Sequence, residues 1–383
     1  MGRGVDRVAE DRMIPLFHPP YQNVERMLAE LRDTLSGRWW GQGPKVDLFE
    51  KRFGEKFGHK NCVMVNSGTA ALQIAYRLAG VGPGTEVIVP VLTCTATCHP
   101  ILLLGAKVVF ADILPGTLTL DSKDVRRKLS RRTKAIVTVH LGGLVANMRE
   151  LKESARIAEA LLIEDSAQAL GAKLGKADIT CYSFQAIKHL STGDGGMICV
   201  KTKVQARAAK KLRWFDIDRE QKIKKGWQAW DRRGITFDQV VPAYKFQPTD
   251  IDASIGLAGL ATFDENLIHR HVLVELYRTR LSGMKCLSLL DRGDQNADWL
   301  FMVTVNGNRD DFAAYLKDRG IETNVAHVRN DIFTVFGGKR RKLPGMNEVE
   351  AKYLCLPLNT KVSARYVEFI CSVIMEYEAK RRG

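Results

Sequence analysis

A chain of 383 residues with 45% apolar content is long enough to bury a sizeable core and to build a two-part architecture. No apolar run approaches membrane-spanning length, and Met1-Gly2-Arg3-Gly4-Val5-Asp6-Arg7 lacks the apolar centre of a signal peptide, so a cytosolic, membrane-free protein is expected. The 58 Lys and Arg against 43 Asp and Glu give +15, which reads as solvated surface or as a field that attracts a diphosphate; no recognition motif accompanies it to favour nucleic acid.

Residues 1–13 are expected to form a flexible tail. Val63-Met64-Val65 then reads as a short buried strand and Ala70 to Leu78 as a helix, placing Ser67-Gly68-Thr69 at the turn between them. A helix start with a glycine beside it and two hydroxyls is a ready anion site, although the same residues also serve as an ordinary N-cap. Further apolar strands near Val87, Val108, Ile136, Leu162 and Ile198 alternate with helical stretches, the pattern of an α/β sheet with helices on both faces. The eight cysteines are scattered, and Cys62, Cys181 and Cys199 fall inside strand-like runs as reduced core residues. Cys94 and Cys98 have helical spacing with no His/Cys cluster to favour a metal, and none is expected.

The run Ala160-Leu161-Leu162-Ile163-Glu164-Asp165 ends in two acids, and ligands gather outside the carboxyl ends of such strands. A little further on, Lys188 lies between an apolar strand and the glycine- and hydroxyl-rich loop Ser191-Thr192-Gly193-Asp194-Gly195-Gly196. An amine in that setting can form a Schiff base once its pKa falls. The charged stretch from Lys201 to Arg233 reads as an ordered active-site or interface loop, with a disordered insert as the alternative. After it come a long helix from about Thr249 to Tyr277, a strand from Trp299 to Val305, a helix from Arg309 to Leu316 and a closing helix from about Ser363 to Tyr377. The expected division is a large domain over 14–248 and a smaller C-terminal α/β domain over 249–383.

A phosphate cradle, an acid able to hold a pyridinium proton and an imine-forming amine together make the outfit of a pyridoxal phosphate enzyme. Their order and spacing resemble the DegT/DnrJ/EryC1/StrS sugar aminotransferases from Ile14 to about Ile374. Gly37 to Pro44 as an entry segment, Gly105 to Asp112 and Val139-His140-Leu141 as successive strands, and Thr249-Asp250-Ile251 as the start of a later helix carry the likeness between the main motifs.

The resemblance implies the fold-type I architecture, with a mixed, mostly parallel sheet flanked by helices. It implies that Lys188 bonds the pyridoxal 5'-phosphate aldehyde and shuttles protons, through a pyridoxamine 5'-phosphate form. Asp165 would pair with the ring nitrogen, Gln168 would lie near the ring, and Gly68, Thr69 and Ser183 would bind the phosphate. Lys245, in Ala243-Tyr244-Lys245-Phe246, would reach the phosphate of a neighbouring subunit, which makes the enzyme a homodimer with shared sites. Cys94 stands where an aromatic ring often stacks on the cofactor, Gly142 removes a bulky group near the expected substrate mouth, and Gln247 replaces a common Arg. His140, His327 and Arg329 are the expected substrate-side residues. The implied reaction is amination of a keto sugar, nucleotide-linked, with glutamate or glutamine as donor. A sugar dehydratase of the same superfamily usually has His at the lysine position, so Lys188 argues against it; the intact Lys188, Asp165 and Ser183 argue against a non-catalytic binding protein.

Overall fold

The computed structural model describes residues 13–174, 177–224, 226, 230–231, 234–235 and 237–382. The expected tail therefore lies outside the described residues except for Met13.

Seven strands form the main sheet: β1 Cys62–Val65, β2 Glu86–Pro90, β3 Lys107–Ala111, β4 Thr133–Val139, β5 Leu161–Asp165, β6 Ile179–Ser183 and β7 Gly196–Val200. Their spatial order is β1-β7-β6-β5-β4-β2-β3, with β7 antiparallel to both neighbours and the remaining pairs parallel. Apolar runs without alternation suit a sheet covered on both faces. Val87 and Val89 join one core cluster and Ile88 joins the cluster on the other side, as the two-residue period of a strand requires.

The reversed strand β7 has a consequence for the site. Gly196 pairs with Val65 on one side and with Ser183 on the other, so the carboxyl ends of β1 and β6 meet around it. A Cβ on Gly196 would come within 2.5 Å of the Ser67 carbonyl, which leaves glycine as the residue that lets this corner close.

Helices α2 Pro44–Phe57 and α3 Gly68–Leu78 pack on the strands at that corner, while α1 Val24–Ser36 packs on the long helix Asp250–Leu281. The long helix Asp250–Leu281 starts at Thr249, whose side chain accepts from the Asp252 amide while Asp252 bonds back in a capping box. Ala253 and Phe263 near its start pack with Phe49 and Phe53 of α2, whereas Leu273, Val274, Tyr277 and Leu281 near its end join the core of a second, three-stranded antiparallel sheet. That sheet comprises Leu287–Leu289, Phe301–Val305 and Tyr353–Leu356, backed by helices Arg309–Lys317 and Ala364–Arg382. One helix thus belongs to both cores.

Three expected elements change. Lys203–Leu212 in the charged stretch is a helix with a Thr202/Gln205 capping box, and Arg219–Lys224 is a second, short one; parts of the remainder lie outside the described residues. The strand expected from Trp299 starts at Phe301, because the Trp299 and Leu300 amides both bond the Gly142 carbonyl, at 2.9 and 3.0 Å. The strand expected through His140 and Leu141 stops at Val139, where a tight turn with Gly142 at φ 62° replaces it.

Candidate active site

The site is built at the carboxyl ends of β1, β2, β5 and β6. Asp165 ends β5 and is buried; its Oδ2 accepts from Thr97 Oγ1 at 2.8 Å and its Oδ1 from the Ala167 amide at 3.2 Å. A hydroxyl has one proton, so Thr97 spends its proton on Asp165 and accepts from Thr93 Oγ1 at 2.9 Å. Burial pushes the Asp165 carboxyl up, against the Thr97 and Ala167 bonds and the nearby charge of Lys188 and His140. Its neighbour Glu164 projects to the other face and bonds Thr180. Burial raises that carboxyl too, but His140, Thr180 and a backbone amide hold it below the usual carboxylate range.

Lys188 sits on the loop joining β6 to β7. That loop is closed by the bonds of the Phe184 amide to the Gly195 carbonyl and of the Thr192 amide to the Phe184 carbonyl, both 2.9 Å. Among the described residues Nζ has no hydrogen bond or ion pair, and it lies 3.7 Å from the centre of the Trp299 ring. Burial lowers the Lys188 ammonium to about 8, while Asp165 and Cys94 pull it upward. Cys94 is half-buried and precedes the turn that carries Thr97.

The residues expected to form an anion cradle lie together. Ser67 Oγ caps α3 by accepting from the Ala70 amide at 3.1 Å. Gly68 and Thr69 open the helix, where amides have no intrahelical partner. A Cβ on Gly68 would stand 2.9 Å from Ser183 Cβ, so strand end and helix start share one concavity. Lys245 is exposed beside it: the Asn66 amide bonds the Phe246 carbonyl at 3.0 Å, tying this segment to the turn before α3 in its own chain.

Gln168 is buried, with its carbonyl oxygen accepting from the Gly142 amide at 2.6 Å and its amide 2.9 Å from His327 Nε2. Because Gly142 requires an acceptor, the Gln168 NH₂ must donate to His327, which places the imidazole proton on Nδ1. Burial, helped by the charge on Lys188, lowers His327 to about 4, so it is neutral near pH 7.

Two of the expected substrate-side residues do not face open space. His140 is fully buried, its Nδ1 accepting from the Ala146 amide at 3.2 Å and its Nε2 3.6 Å from Glu164. Arg329 is also fully buried: Nε and Nη2 grip Asp331 at 2.6 and 2.7 Å, Nη1 donates to Asn347 and Glu350, and Nη2 also reaches the Arg341 carbonyl. Every guanidinium donor is engaged, which leaves none for a substrate. The space expected at Gly142 is filled as well, since a Cβ there would meet Met302 Cε at 2.4 Å. Sequence reasoning missed Trp299, Thr97 and Thr93. For the two threonines the only signal was their spacing of four, and for Trp299 there was none.

The donor set fits a phosphorylated pyridine aldehyde, with helix-start amides and hydroxyls for the phosphate, a desolvated carboxylate for the ring nitrogen and, for the carbonyl, an amine with no hydrogen bond among the described residues. A seven-stranded sheet with these groups at one rim is the arrangement of a fold-type I, pyridoxal phosphate-dependent enzyme.

The chain belongs to the DegT/DnrJ/EryC1/StrS aminotransferase family, whose sequence profile matches residues 22–375. It is similar to the spore coat polysaccharide biosynthesis protein SpsC of Bacillus subtilis (strain 168), with 31% identity over 369 residues covering 91% of this chain and 93% of that protein. Among solved structures it resembles the sugar aminotransferase CalS13 from Micromonospora echinospora, at 30% identity, 94% and 99% coverage and a TM-score of 0.87. It also resembles the putative sugar aminotransferase Spr1654 from Streptococcus pneumoniae in its PMP form, at 28% identity, 96% and 98% coverage and a TM-score of 0.86.

Proposed function

We propose that the enzyme aminates a keto sugar, nucleotide-linked, using glutamate or glutamine as donor, and that it works in the cytosol as a homodimer with shared sites. The observation that carries the reading is the Lys188 amine, buried without a hydrogen bond among the described residues, at the same sheet rim as Asp165 and the Gly68–Ser183 concavity. The sugar aminotransferases among its structural neighbours support the substrate class, and the +15 balance suits a diphosphate-bearing acceptor.

When bound, pyridoxal phosphate supplies an electrophilic carbonyl and a ring that accepts electron density. The chain's residues do the rest. Gly68, Thr69 and Ser183 hold the phosphate, and Lys245 serves the site of the adjoining subunit. Asp165, fixed by Thr97 and Ala167, keeps a proton on the ring nitrogen. Lys188 Nζ takes and returns the proton at the reacting carbon, a task suited to an amine lowered toward neutrality. Gln168 and neutral His327 form one side of the site and offer an oriented imidazole N–H.

Borohydride reduction of the yellow protein tests the reading: the cofactor is expected on the Lys188 peptide, and mapping to another lysine would sink the assignment. Screening the pyridoxamine form against keto sugars, by return of the aldehyde spectrum, identifies the acceptor. Mixing inactive Lys188→Ala and Lys245→Ala chains should partly restore activity if Lys245 acts across the dimer; no recovery after verified subunit exchange would place it within its own subunit.

A further inference from the structure

The loop that carries Lys188 is gripped on both sides of the lysine by one distant segment. Trp299 Nε1 donates to the Ile187 carbonyl at 2.9 Å, and His189 Nε2 donates to the Ala297 carbonyl at 2.8 Å. Between these bonds the Lys188 amine rests 3.7 Å from the centre of the Trp299 ring. Trp299 is itself buried and fixed: its amide bonds the Gly142 carbonyl at 2.9 Å, and its ring lies 5.8 Å from that of Phe17. The adjacent Asp298 adopts φ 50° and is held by His271 and Arg292. A Cβ on Gly143 would fall 2.7 Å from the Asp298 amide, so this approach depends on the glycine turn.

We infer that Trp299 is a positioning residue for Lys188, its ring face presenting a π surface to the amine and its indole N–H anchoring the turn that carries it. The inference rests on the reading of Lys188 as the catalytic amine. A four-carbon side chain has many rotamers, and a buried ring face with a fixed neighbouring carbonyl selects among them. The ring also stabilises the ammonium where burial opposes it. The other groups facing Lys188 are Asp165 from β5, Cys94 after β2, and His189 and His327, which burial lowers to about 3 and about 4.

The test uses the full chain stripped of cofactor, with pH-dependent reductive methylation of Lys188 read by peptide mass spectrometry. The midpoint is expected near 8 in the unsubstituted chain. Trp299→Phe and Trp299→Tyr retain a ring face and should keep it within a few tenths, whereas Trp299→Leu should lower it by roughly half a unit to one unit. Loss of the indole N–H in the Phe and Leu variants should also speed amide exchange over residues 186–189 several-fold. A Leu midpoint equal to the unsubstituted one, a Phe midpoint that falls as far as Leu, or unchanged exchange in Phe overturns the role. If the Leu variant does not fold, the Phe and Tyr midpoints and exchange decide. Because labelling needs no cofactor, its failure is separable from borohydride mapping to another lysine, which would overturn the catalytic reading.

Discussion

Two buried cations, Lys188 and Arg329, differ sharply in how their donors are met. His327 feels the charge of Lys188, and two residues later Arg329 sits in a closed knot with Asp331, Asn347 and Glu350. The Arg329 guanidinium has a partner for every donor, and Asp331 helps hold its pKa above the ordinary value. Lys188 has a ring face and, among the described residues, no hydrogen-bond partner, and burial drives it down to about 8. Burial alone does not mark a functional cation. What separates the two is whether the buried donors are satisfied: a saturated charge fastens the fold, whereas an unsaturated one is held ready for a ligand.

The contrast breaks most sharply by removing each charge. Lys188→Ala should abolish turnover yet leave a folded chain that still binds the cofactor through its phosphate, checked by steady-state assay and equilibrium dialysis. Arg329→Met should instead cost about 3–5 kcal/mol of stability in urea unfolding, because Asp331 is left buried and uncompensated. A stable Arg329→Met protein with altered substrate KM would return that residue to the substrate side.

The pH dependence of stability sharpens the same comparison. The folded pKa of Lys188 lies below its ordinary value of 10.5, so keeping the charge buried penalises the folded state at low pH. In the cofactor-free chain that penalty is full below about pH 8 and disappears as pH rises past 10.5, above which neither state holds the proton. Lys188→Met should therefore be more stable than the unsubstituted chain by about 3 kcal/mol at pH 7. The gain should fade between pH 8 and 10.5, and a pH-independent difference would contradict a desolvated ammonium.

Asp165→Asn removes the charge meant for the ring nitrogen and should reduce turnover at least about a hundredfold. Near-normal activity would assign that work to another acid. Thr97→Val has the smallest expected effect: it strips one hydrogen bond from Asp165 and leaves Thr93 without its acceptor, which should cost about 1–3 kcal/mol of stability. Turnover should fall several-fold, and an unchanged value would show that the Ala167 amide alone orients the carboxylate.

The expected site separates into residues that stand on short contiguous turns and residues that do not. Gly68, Thr69, Asp165 and Lys188 could be placed at one rim because strand-end acids, helix-start hydroxyls and glycine-flanked loops carry their geometry locally, whereas Gln168 and Ser183 were expected from the family resemblance alone. His140 and Arg329, expected on the substrate side, lie buried beside Glu164 and Asp331, and a histidine or an arginine looks alike in sequence whether it faces such a neighbour or open space. Gly142 was read as an opening, yet the missing side chain admits Met302 and the Trp299 backbone from the far end of the chain.

The sequence by itself determined the alternation of strands and helices, the fold class and the order of the chemical groups, since periodicity and turn chemistry act over a few residues. Only the tertiary structure decided that reversed β7 brings Gly196 against Ser67 and Ser183, that Thr97 orients Asp165, and that Trp299 faces Lys188. Those contacts join residues 68 to 129 positions apart or depend on strand order, and no local pattern encodes which distant surface fills the space left by a glycine or which buried donor remains unpaired.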